Sequence, residues 1–97
     1  FLPNPHWDDK LRPLTGHDPA VRDFVLERAQ ASDFLDRFEA LMEALLPAYE
    51  AEGKSYLTVA FGCTGGKHRS VVIVEAMRKR LQHPKINITV THRDEKR

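Results

Sequence analysis

The residues best suited to chemistry stand together in one run, Gly62-Cys63-Thr64-Gly65-Gly66-Lys67-His68-Arg69-Ser70. Three physical needs of an anion site are met here. Thr64, Gly65 and Gly66 are small, so backbone N–H groups can curl around an anion without side-chain clash. A helix that starts at Ser70 would add unpaired N–H groups and a partial positive charge. Arg69 stands at the mouth of that helix, where its fork can grip two phosphate oxygens. Lys67 and His68 add charge, and Thr64 and Ser70 add hydroxyls. A bare tight turn would also place two glycines after a strand, but it does not require Lys, His, Arg and Ser in succession. The mononucleotide pattern ending Gly-Lys-Ser/Thr is not met, because His68 and Arg69 separate Lys67 from Ser70; the dinucleotide fingerprint is not met either.

The same run permits a second chemistry. Cys63, five residues, then Arg69 and Ser70 match the spacing of cysteine-dependent phosphatases, in which a thiolate at a helix N-terminus attacks phosphorus. Asp8 or Asp9, beside Trp7, would supply the general acid. Against this, Gly62 stands where those enzymes usually carry His, and a buried structural thiol at Cys63 would leave the anion site unchanged. Metal binding has less support. Cys63, His6, His17, His68 and His92 are available, but no pair has zinc-ligand spacing, so no metal and no cofactor are expected.

These residues need elements to position them. Pro3, Pro5, Pro13 and Gly16 make residues 1–17 an irregular opening segment. Asp18-Pro19 reads as a helix start for residues 19–29, apolar at Val21, Phe24 and Val25. Ser32 can cap the next helix, whose face is Phe34, Leu35, Phe38, Leu41, Met42, Leu45, Leu46 and Tyr49. Pro47 should kink it, and Gly53 should stop it. The run from Ser55 to Phe61 reads as a strand buried on both faces. A helix over residues 70–82 follows, apolar at Val71, Val74, Met77 and Leu81. Ile86, Ile88 and Val90 alternate with polar residues as a second strand. The fold class expected is therefore α/β: a small domain over residues 1–97 with a βαβ unit, a parallel sheet packed by helices and a right-handed crossover. The loop would then lie at the carboxyl end of a strand, where open α/β sheets bind ligands.

Composition narrows the setting. The 97 residues are 41% hydrophobic and 30% charged, as in ordinary globular proteins. No apolar run approaches the roughly 20 residues that span a bilayer, so no membrane partner is expected. The chain begins at Phe1 and suggests a piece of something longer. One cysteine and no leader pattern fit a cytoplasmic setting. Residues 18–52 carry nine acids and three bases, whereas residues 53–97 carry ten bases and three acids. The half that holds the loop is basic, as suits an anionic ligand or RNA, although two solvated faces would look the same.

Longer stretches carry a family resemblance. Phe1-Leu2-Pro3-Asn4-Pro5-His6-Trp7, Leu11-Arg12-Pro13-Leu14-Thr15-Gly16, Ser55-Tyr56-Leu57-Thr58-Val59-Ala60, Gly62 to Ser70 and His92-Arg93-Asp94 resemble the C-terminal domain of the RapZ/YvcJ family. These are bacterial nucleotide-binding proteins that include RNase adapters. The resemblance implies a phosphofructokinase-subdomain-like fold and a regulatory binding domain rather than an enzyme. Nucleotide binding would belong to an N-terminal kinase-like domain. The resemblance further implies sensing of a sugar phosphate, glucosamine-6-phosphate, through Thr64, Gly65, His68 and Arg69, with His6 nearby. Gly66, Lys67 and Ser70 join this set from the loop physics alone, and His6 reads equally well as a capping or packing histidine. Small RNA, RNase E or another regulatory protein, and further copies of the chain are the partners implied. For RNA, Arg78, Lys79, Arg80, Lys85, Arg93, Lys96 and Arg97 are the candidate contacts, and a solvated helix end would explain the same charges.

Overall fold

The structure is a computed structural model, and it describes residues 1–54, 56–82 and 86–94. Its regular elements are a short 3-10 turn at Pro5–Trp7 and three helices, α1 (Pro19–Leu26), α2 (Ala29–Ala51) and α3 (Arg69–Arg80).

The expected α/β class is overturned. Among the described residues no strand or sheet forms, and Ile86 makes only an isolated bridge. Residues 56–61 form no strand, and Tyr56 is 86% exposed, with Leu57 and Val59 also exposed. Ser55, at the start of the expected strand, lies outside the described residues. The physical reason is that β-branched and alternating sequences record a local preference, whereas a ladder needs a second strand to complete its hydrogen bonds. Here α3 takes its cover from α1 and α2 instead. Val72 joins Leu11, Val21 and Val25 on one side. Ile73 and Met77 join Leu35 on the other. Packing on two sides also explains why Val72 and Ile73 are buried, although a single apolar stripe on α3 omits both.

The helices otherwise follow local chemistry, with shifted ends. Asp18 precedes α1, but its carboxylate does not cap the helix. Asp18 Oδ2 instead accepts the Thr15 N–H at 2.8 Å and closes the turn before it. Helix α1 starts at Pro19 as expected but ends at Leu26, and α2 starts at Ala29, so Ser32 falls inside α2 rather than at its cap. Helix α2 runs on through Pro47 to Ala51. Gly53, at φ +80°, ends it as expected. Gly53 N–H donates to Glu50 O and Lys54 N–H to Tyr49 O, both at 3.0 Å, which is the paired closure that a left-handed glycine permits.

Aromatic rings fasten the ends of the irregular segments to α2. Phe61 lies against Phe38 (centroids 5.1 Å) and Phe34 (6.1 Å), and Phe1 lies against Phe34 (5.8 Å). Phe1 and Phe61 are thereby brought to one patch of α2, and the loop starts at the next residue, Gly62.

Candidate functional site

Gly65 and Gly66 adopt φ of +84° and +66°, a left-handed pair that few other residues tolerate and that turns the chain sharply before α3. Gly65 has open space where a Cβ would stand. A Cβ on Gly66 would meet the Asp94 side chain at 2.9 Å, so the His92-Arg93-Asp94 segment is folded onto the loop. In α3 the first amide to find a helical acceptor is Val72 N–H, on His68 O at 3.0 Å. The amides before it are free of the helical ladder, and Ser70 N–H is given to the Cys63 sulfur at 3.3 Å.

Cys63 collects several of the loop's donors. Its sulfur also lies 3.3 Å from Ser70 Oγ. Burial pushes the thiol's pKa up, but the Ser70 hydroxyl, the Ser70 and Gly66 N–H groups and the Arg69 charge together hold it below the ordinary value. The thiol therefore ionises more readily than a free one at this helix N-terminus.

A cavity of about 260 Å³ opens beside these groups, lined by Phe1, Leu2, Gly62, Cys63, Thr64 and Arg69. Its wall carries one guanidinium, one hydroxyl and one thiol from the loop and two apolar residues from the chain's opening segment. Phe1 and Leu2 were not legible as site residues; only the ring contact of Phe1 with α2 puts them there. Among the described residues no carboxylate pairs with Arg69, so its charge is available to the cavity.

The chain matches a domain family described as RapZ C-terminal domain over residues 1–96. It belongs to that family. Among its relatives, proteins named nucleotide-binding protein are 56% identical in Geobacter metallireducens and 55% identical in both Mycolicibacterium paratuberculosis and Frankia casuarinae. Each alignment covers 97% of this chain but only 32–33% of the relative, so the chain spans about a third of the length of these curated relatives.

For this RapZ-family domain, the structure sorts the residues named from sequence into three groups. Cys63, Thr64 and Arg69 meet at the cavity. Gly65, Gly66, Lys67, His68 and Ser70 shape the loop around it without lining it. His6 stands apart: its N–H donates to Asn4 Oδ1, its carbonyl accepts Arg12 Nε at 2.7 Å, and its ring lies on Trp7. The two acids considered for proton donation are engaged elsewhere. Asp8 Oδ1 accepts the N–H groups of Lys10 and Leu11, and Asp9 pairs with Arg12 at 2.8 Å.

Of the four candidate RNA contacts among the described residues, three are ion-paired. Arg78 pairs with Glu75, Arg93 with Asp94, and Arg80 with Asp36 and Glu39 of α2. Lys79 is exposed, whereas Lys85, Lys96 and Arg97 lie outside the described residues. Of the histidines, His92 donates Nε2–H to Glu75 Oε2 at 2.8 Å and packs edge-on against His17, with centroids 5.1 Å apart. Burial pushes the Glu75 carboxyl's pKa up, but the His92 bond and the Arg78, His92 and His17 charges hold it below the usual range. This cluster joins the opening segment, α3 and the terminal segment, and no spacing rule would have found it. No helix of the described residues is long and apolar enough to cross a membrane.

Proposed function

We propose that this domain is a sensor of a sugar phosphate, with glucosamine-6-phosphate as its ligand. The observation that carries the reading is Arg69, without a carboxylate partner among the described residues, on a cavity it shares with Thr64 at the start of α3. A phosphate there would take a charge-assisted bond from the guanidinium, a bond from the Thr64 hydroxyl and the favourable field of the helix. The cavity is smaller than the roughly 300–1,000 Å³ typical for drug-sized ligands, which suits a monosaccharide phosphate. The output of binding would be a change in how the domain meets RNA, RNase E, another regulatory protein or further copies of itself. Nucleotide binding, named for the relatives, would belong to the two-thirds of their length outside this chain.

One observation favours a second reading. A thiolate-prone Cys63 within a cavity that also holds Arg69 is the arrangement a cysteine-dependent phosphatase requires. The sensor reading is preferred because neither Asp8 nor Asp9 lines the cavity, so the leaving group would lack its proton donor.

Isothermal titration calorimetry separates these. Glucosamine-6-phosphate should bind and be recovered intact, glucosamine should not bind, and Arg69→Ala should weaken affinity about ten- to a hundredfold, the worth of a charged hydrogen bond. Release of inorganic phosphate that disappears in Cys63→Ser would establish the phosphatase instead. Equal binding by Arg69→Ala would remove the proposed site.

A further inference from the structure

Family resemblance assigns His68 to the ligand, but the geometry assigns it another task. Its side chain is 6% exposed and does not line the cavity. Its Nε2 lies 3.1 Å from Arg12 O. A carbonyl only accepts, so Nε2 must carry the hydrogen.

What the ring does reach is the opening segment. One residue earlier, Lys67 O accepts the Gly16 N–H at 3.0 Å, so two bonds tie residues 67–68 to residues 12–16. The approach is close: a Cβ on Gly16 would stand 2.6 Å from His68 O. The opening segment is itself braced. Arg12 N–H and Leu14 N–H donate to Asp8 O and Leu11 O, Thr15 N–H is held by Asp18, and Leu11 is in the core. The loop's last two residues are thus anchored to a firm support immediately before Arg69.

We propose that His68 is a positioning residue, whose Nε2–H bond to Arg12 O fixes the loop so that Arg69 begins α3 at the cavity wall. The role rests on the sugar-phosphate reading above. It differs from ligand contact in which ring nitrogen matters. Gln places an amide N–H near the position of Nε2, whereas Asn places one near Nδ1 and is too short to reach Arg12 O.

The test is calorimetric titration of glucosamine-6-phosphate into the unaltered chain, His68→Gln and His68→Asn, with hydrogen exchange read at the Gly16 amide. Gln should bind within about threefold of the unaltered chain, and Asn about tenfold more weakly, as expected for loss of a buried hydrogen bond. The Gly16 amide should exchange faster in Asn than in Gln. Should Asn fail to fold, Gln decides alone: retained binding supports the role and weakened binding overturns it. Undiminished binding by Asn, or the reverse order of the two variants, also overturns it. If the unaltered chain binds no glucosamine-6-phosphate, the sensor reading falls; exchange at Gly16 then still tests the tie, which unchanged rates in Asn overturn.

Discussion

Cys63 shows how a single atom reports the state of the loop. Burial alone would suppress its ionisation, yet two N–H groups, a hydroxyl and a guanidinium outweigh burial and lower the pKa. The thiolate is the reactive form, so a lowered pKa extends reactivity to lower pH. Alkylation by iodoacetamide, followed by mass spectrometry across pH, should give a midpoint below that of the same cysteine in the urea-unfolded chain. Ser70→Ala removes the hydroxyl and keeps the N–H, so it should move the midpoint up. A sugar phosphate in the cavity should slow the reaction, both by covering the sulfur and by placing a second negative charge beside it. A midpoint at the ordinary value would mean that the donors do not converge on sulfur. The sequence names Cys63, Thr64 and Arg69 because their types and spacing are local. It cannot show that Ser70 serves the thiol, since that follows from how Gly65 and Gly66 turn the chain.

At the scale of elements, periodicity locates the helices but not the depth of their residues. Leu41 and Met77 both fall on apolar helical stripes. In the structure Leu41 is 50% exposed and Met77 is 4% exposed. Met77 packs with Ile73 and Leu35 where α3 meets α2, and Leu41 belongs to neither core cluster. Met77→Ala should therefore cost about 2–5 kcal/mol of stability in urea unfolding. Leu41→Ala should stay within about 0.5 kcal/mol. Equal losses at the two positions would mean that α2 and α3 do not meet as described. The same limit explains the missed burial of Val72 and Ile73. A helix covered on two sides has no single stripe, and the identity of the covering elements is a tertiary fact. The overturned strands have a related cause: composition over the runs Ser55 to Phe61 and Ile86 to Val90 favours an extended chain, but pairing is decided by whether a neighbour lies alongside.

Across the whole molecule, the chain's start and the loop some fifty residues later form one unit, and Gly16 is the position that shows it. Its N–H donates to Lys67 O, and a Cβ there would stand 2.6 Å from both His68 O and the Val71 Cβ. Contacts under 3 Å require movement, and neither a backbone oxygen nor a Cβ at the head of α3 can move alone. Gly16→Ala should therefore push the opening segment away from the loop and strain the packing of Val71, which is fully buried. Overpacking of this kind costs about 1–3 kcal/mol. Each kcal/mol lowers the Tm of a domain this size by about 4–8 °C. Affinity for the proposed sugar phosphate should fall with stability, because the displaced residues directly precede Arg69. Gly53→Ala supplies the contrast. It strains a left-handed turn at the end of α2 but meets nothing within 4 Å. Its cost should appear in Tm while affinity holds. Calorimetric melting and titration of both variants decide the matter: parallel losses only in Gly16→Ala mean that the opening segment is a working part of the site, whereas equal affinity in both means that it is scaffolding.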